Sequence, residues 1–134
     1  MSQKDVLLYA MRVPLMVSVL RSTRARVRSV LGGFAVQREL SDAVVWVLDT
    51  ALSSAIGLRR RENRLTTLEA EVALHVDDDS VVLTAVDHFS WTEETLRGRG
   101  PDAREWMVVS GFADRVTLTE DSPATFTAVF RRTP

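Results

Sequence analysis

The chain has 134 residues, of which 46% are hydrophobic and 26% charged, with a formal net charge of −1 and no cysteine. That length suits one compact domain, and the apolar content is enough for a real core, which excludes a disordered chain. Near-neutral charge gives no global pull toward nucleic acid or anionic membrane, and the lack of cysteine excludes disulfides, thiol catalysis and sulfur-rich zinc sites, as suits a reducing cytoplasm.

Residues 5–12 (DVLLYAMR) read as an apolar strand ended by Pro14. The apolar run 13–20 contains Pro14 and Ser18, is too short to span a membrane and lacks a small-residue cleavage site, so the expectation is an intracellular soluble protein. From Ser18 to about Phe34 the spacing turns helical. Leu20, Thr23, Val27, Val30, Leu31 and Phe34 share one face, Arg21, Arg24 and Arg28 another, and Gly32-Gly33 weakens the end.

A second helix is expected with Ser41 as N-cap, Asp42 in its first turn and Gly57 at its end. Its apolar residues run around most of the circumference, which places it centrally against a sheet, with Trp46 in the core. Arg59, Arg60 and Arg61 then begin a solvated link. Strict alternation over 67–76, the turn Asp77-Asp78-Asp79-Ser80 and the apolar run 81–87 predict a β-hairpin. Segment 92–102, with Gly98, Gly100 and Pro101, reads as a loop, 103–113 as a short helix carrying Trp106 in the core, and 116–119 with 125–131 as a final hairpin. The order β-α-α-β-β-α-β-β predicts an α+β two-layer sandwich, a single domain in which a mixed sheet carries its helices on one face.

Among chemistry-bearing residues, Asp87 stands at the end of an apolar strand and is followed by His88-Phe89-Ser90-Trp91. A carboxylate there needs hydrogen-bond partners, either from a ligand or from local backbone N–H groups or an arginine. His75 falls on the polar face of its strand and His88 in a loop, and without a nucleophile or third partner nearby both read as ordinary histidines. The run Asp77-Asp78-Asp79 lacks the alternating ligands and distal bidentate acid of a calcium loop and reads as a solvated turn. The arginines of the first helix, with Arg12, Arg59, Arg60 and Arg61, form either a solvated face or a docking surface for an acidic protein. Trp91, beside a loop, reads as a partner anchor.

Taken in order, RSTRARVRSVL, LSDAVVWVLDTALSSAI, the hairpin ending in Asp87, the segment Phe112-Ala113-Asp114-Arg115-Val116 and the closing TFTAVFRR resemble the histidine-kinase-like ATPase superfamily. The likeness is to its small bacterial anti-sigma-factor serine kinases and their actinobacterial relatives, and it runs from Pro14 to Arg132. It implies a Glu-x-x-x-Asn pair on the central helix, where the Glu activates the attacking group and the Asn helps hold magnesium. Here those positions fall on Asp49 and Ser53, or in a second register on Thr50 and Ser54, and neither supplies an Asn. It implies Asp-x-Gly-x-Gly at the strand end, the aspartate on adenine. Here Asp87 is kept, but Phe89 and Trp91 replace glycines that let backbone approach the base. Gly98-Arg99-Gly100 resembles the phosphate-cradling stretch, although Pro101 removes a donor and the spacing to Ala113 is long.

The expectation is therefore a non-catalytic, anti-sigma-like regulatory protein-binding module with a degenerate ATP site and no catalytic or metal residues. Its partner is a sigma factor, an anti-sigma antagonist or a nucleotide-binding paralogue, contacted through Trp91, Arg21, Arg24 and Arg28. A homodimer is expected through the apolar first strand. Two alternatives stand: an active ATP- and magnesium-dependent anti-sigma kinase using Asp49, Ser53 and Asp87, and a small-ligand-binding domain rebuilt around Phe89 and Trp91.

Overall fold

The computed structural model describes residues 7–14, 16–61, 69–87, 111–119 and 124–132. The elements are β1 (Leu7–Pro14), a 3-10 turn (Val17–Val19), α1 (Leu20–Gly33), α2 (Arg38–Arg61), β2 (Glu69–Val76), β3 (Ser80–Asp87), β4 (Arg115–Thr119) and β5 (Ala124–Arg131). They form the expected α+β two-layer sandwich, with one sheet in the order β1-β2-β3-β5-β4.

The sheet departs from the mixed one expected, because every pairing is antiparallel. A single crossover helix would return the chain to the start of β1 and make its neighbour parallel. Here α1 and α2 run out and back as a helical hairpin, so the chain re-enters the sheet at the end where β1 left it. β2 must then run antiparallel to β1.

β1 lies at one edge of the sheet and continues to Pro14, rather than stopping before it. A proline cannot donate to the ladder, but at the end of an edge strand that donor is not needed. The second helix also departs from expectation. Ser41 is 6% exposed and lies inside α2, its N–H donating to the Gln37 carbonyl at 2.9 Å, so it is no N-cap. The helix starts one turn earlier, at Arg38, and passes through Gly57 to Arg61 instead of giving way to a link. Glycine lowers helix propensity by only about 1 kcal/mol, which the long apolar face outweighs.

That face is the centre of the core. Val44, Val47, Leu48, Ala51, Leu52 and Ala55 are all buried against the inner side of the sheet. β2 contributes Ala70, Val72, Leu74 and Val76, as the alternation predicted. On β5 the fully buried Phe126 and Phe130 stand opposite Ala85 and Val81 of β3 in register. Large rings beside small neighbours fill the layer without overpacking. α1 adds Leu20, Thr23, Val27 and Leu31, while Phe34, expected on the same face, is displaced outward by the end of the helix.

That helix end is a left-handed cap. Ala35 has φ 56°, its N–H donates to the Gly32 carbonyl at 3.1 Å, and the Val36 N–H donates to Leu31 at 3.1 Å. The buried pair Leu31 and Val36 seals it. Arg132 fixes the cap to the far hairpin: Nη1 donates to the Asp77 carbonyl at 2.8 Å and Nη2 to the Ala35 carbonyl at 3.2 Å. The Asp77 turn is ordered by its own side chain, whose Oδ1 accepts the N–H groups of Asp79 and Ser80 at 2.8 and 2.9 Å.

Candidate functional site on the outer face of the helical hairpin

α2 buries most of its circumference, so its outward stripe is narrow. Asp42, Trp46, Asp49 and Ser53 follow one another at intervals of four, three and four residues, the spacing of a single helical face. Asp42, Trp46 and Ser53 are exposed and Asp49 is partly so. α1 runs antiparallel alongside and supplies two arginines to this stripe. Arg24 Nη1 donates to Asp49 Oδ1 at 2.9 Å, and Arg28 Nε donates to Asp42 Oδ1 at 3.3 Å. The two bridges bracket Trp46. Together Arg24, Arg28, Asp42, Val45, Trp46 and Asp49 line an open hollow of about 430 Å³.

The reading of Trp46 as a core residue is therefore corrected: it is 55% exposed. Its ring stacks on Phe112, itself 45% exposed, with centroids 5.3 Å apart and planes 19° from parallel. The reason is the position of Trp46 in the helical period. It falls between Asp42 and Asp49, both of which face out, so the turn that exposes them exposes it. The acidic spacing carried that signal in the sequence. Nothing in the sequence marked Phe112 as its partner, because the two are brought together only by the arrival of the chain at β4.

Arg24 and Arg28, expected on a solvated or docking surface, each bond an acid of α2 while staying partly open to solvent, and Arg21 is exposed. The structure also separates the two registers considered for the Glu-x-x-x-Asn positions. Asp49 and Ser53 lie on the outward stripe, whereas Thr50 is half-buried and Ser54 is 6% exposed within the core layer. The two registers differ most at the second position, where Ser53 is exposed and Ser54 buried.

Asp87 closes β3, its backbone opposite Ala124 of β5. His88, Phe89, Trp91, the Gly98–Pro101 stretch and Trp106 lie outside the described residues, as does most of the short helix expected over 103–113; residues 111 and 112 form a turn. His75 sits half-buried on the outward side of β2, as its alternation implied. Asp114 is a structural residue that sequence reasoning passed over. Its N–H donates to the Val129 carbonyl at 2.8 Å and its Oδ2 accepts the Arg131 N–H at 2.6 Å, which locks the entry of β4 against β5.

Asp49 has an oxygen committed to a guanidinium, and no group of three His, Cys, Asp or Glu residues among those described stands close enough to hold a metal. Nor is any described helix long and apolar enough to cross a membrane.

The antiparallel five-stranded sheet with a helical hairpin on one face is consistent with the histidine-kinase-like ATPase fold, and the support is a structural neighbour. Among solved structures the chain is similar to the crystal structure of the RsbU and RsbW domains of Rv1364c from Mycobacterium tuberculosis, with a TM-score of 0.66 and 12% sequence identity. That alignment covers 94% of this chain and 31% of that one, so the present chain spans less than a third of its neighbour's length. No protein-family model matches the sequence, and no curated protein matches it.

Proposed function

We propose that this chain is an anti-sigma-like regulatory module that works by docking a protein partner rather than by transferring a phosphoryl group. The observation that carries the reading is the 2.9 Å bridge between Arg24 and Asp49. Asp49 occupies the position where the resemblance implies a catalytic carboxylate. A general base must present a free lone pair to the proton it removes. Here Arg24 Nη1 donates to Asp49 Oδ1, so one oxygen of that carboxylate is already engaged within the molecule. The neighbouring position is Ser53, which offers a hydroxyl where an amide oxygen is implied.

The same stripe carries what a docking surface needs. Trp46 and Phe112 form an exposed aromatic step, and tryptophan and arginine are the residue types that dominate interface energies. It joins Trp91 as a candidate anchor, and Arg21 on α1 is an exposed cation. The partner is a component of a sigma-factor switch: a sigma factor, an antagonist of an anti-sigma factor, or a paralogue that binds nucleotide.

Calorimetric titration with magnesium-ATP tests the reading, run on the wild-type chain and on a Phe89→Gly/Trp91→Gly variant. The expected result is no heat of binding and no thermal shift for the wild type at millimolar nucleotide. Binding by the wild type at cellular ATP concentrations overturns it in favour of an active kinase. Calorimetric titration of candidate partners should show a loss of at least tenfold in affinity for Trp46→Ala and none for Ser53→Ala.

A further inference from the structure

The first backbone bond of α2 runs from the Ser41 N–H to the Gln37 carbonyl, so the N–H groups of Arg38, Glu39 and Leu40 have no partner within the helix. Unpaired donors and the helix dipole favour an anion at such an end, although water alone can satisfy it. Here a second feature points the same way. Ser41 is 6% exposed, and among the described residues its hydroxyl has no hydrogen-bond partner. A buried hydroxyl left without a partner is destabilising, and folded chains seldom keep one without a use for it.

Ser41 lines an open hollow of about 500 Å³ between the end of α1 and the start of α2, together with Arg28, Gly32, Val36, Arg38 and Asp42. Side chains on a helix tilt toward its N-terminus, so Ser41 leans over the turn that carries the unpaired N–H groups. Two guanidinium groups border the hollow. Arg28 gives its Nε to Asp42 at 3.3 Å and keeps its Nη donors. Arg38 is exposed and has no acid partner among the described residues. One acid thus stands against two arginines, and the lining keeps a cation in excess before the helix end adds its share. Gly32 keeps the space clear, since a Cβ there would meet nothing within 4 Å.

We propose that this hollow binds a phosphate group, as the free ion or as a small phosphate monoester. A tetrahedral anion has enough acceptor oxygens for a hydroxyl, convergent backbone N–H groups and a guanidinium fork at once. A planar carboxylate, with two oxygens, leaves part of that donor set unused. The Ser41 O–H, the first N–H groups of α2 and the fork of Arg38 each take an oxygen, and Arg28 closes the outer side. The site is separate from the end of β3, because Asp87 does not border the hollow. It does not rest on the docking reading either, since neither Trp46 nor Asp49 lines it.

Titration of the isotope-labelled full chain with sodium phosphate at constant ionic strength, followed by its amide resonances, tests the proposal. Saturable shifts are expected at the Arg38, Glu39 and Ser41 amides, with a dissociation constant on the order of 0.1–10 mM, and none at Asp87. Arg38→Gln should weaken binding about tenfold and Ser41→Ala about threefold or more, while Arg115→Gln on β4 leaves it unchanged. Melting gives a second readout that a merely structural serine would not move. Without phosphate Ser41→Ala should melt above the wild type, because an unsatisfied buried hydroxyl is gone, and added phosphate should close the gap by raising the wild type more. O-phosphoserine and glycerol phosphate separate the sources: tighter binding than inorganic phosphate assigns the site to an ester, and weaker binding to the free ion. Shifts that sodium chloride reproduces, shifts still linear at about 50 mM phosphate, or equal affinity in Ser41→Ala overturn the proposal.

Discussion

The guanidinium of Arg24 on α1 lies 2.9 Å from the carboxylate of Asp49 on α2, joining two residues 25 apart in sequence across the helical hairpin. Their side chains are 39% and 28% exposed, so water screens the pair only in part. Exposed ion pairs contribute about 0.2–1 kcal/mol, and this hydrogen-bonded one should fall near the upper end. A double-mutant cycle of Arg24→Met and Asp49→Asn, read by urea unfolding, should return a coupling energy of about 0.5–1 kcal/mol that shrinks in high salt. A coupling of zero removes the bridge from solution and with it the main support for an occupied base position.

The outward stripe of α2 separates two neighbouring residues by energy. Leu48 is 1% exposed and Trp46 is 55% exposed. Leu48→Ala should destabilise the chain by about 2–5 kcal/mol, through lost transfer energy and the cavity left behind. Trp46→Ala should cost less than about 1 kcal/mol, because only its stack with Phe112 is lost. Equilibrium unfolding of the two variants decides the point, and equal losses would place Trp46 in the core after all.

The end of α1 has its glycines one turn early. Ala35 carries the left-handed φ of 56°, while Gly32 and Gly33 lie in the helix with no atom within 4 Å of an added Cβ. An L-residue with a Cβ in that left-handed conformation costs about 1–2 kcal/mol, and glycine within a helix about 0.5–1 kcal/mol relative to alanine. Gly33→Ala combined with Ala35→Gly should therefore raise stability by about 1–2 kcal/mol. Calorimetry should show the melting temperature rising by several degrees, on the order of 3–8 °C.

Arg132 ties the α1–α2 turn to the β2–β3 turn through carbonyls of Ala35 and Asp77. Truncation to alanine removes two charge-assisted donors and should cost about 1–3 kcal/mol. Arg132→Lys should recover less than half of this, because one ammonium cannot span both carbonyls as the planar fork does. Hydrogen exchange should show the loss first at the Val36 and Ser80 amides.

Much of the architecture is legible in the residues themselves. The alternation of Ala70, Val72, Leu74 and Val76 names a strand and its buried side, and the buried periodicity of α2 names the central helix. Helix limits were less legible, because Ser41 and Gly57 are the residue types that end helices, yet here tertiary burial of α2 carries the helix past both. The sheet's sense was not legible at all. It depends on whether the two helices run as a hairpin, which no local pattern states.

For the candidate site, the stripe Asp42, Trp46, Asp49 and Ser53 was present in the spacing, and the sequence alone placed an acid and a hydroxyl where the resemblance implies Glu and Asn. What the sequence determined is chemical identity at each position: no asparagine on α2, no cysteine anywhere, a lone acid ending β3. What only the tertiary structure decided is pairing, because α1 and α2 must fold back on each other before Arg24 can find Asp49 or Trp46 can meet Phe112. Covalent order fixes which groups a chain owns. Distance between groups far apart along it is set by the packing of the core beneath them.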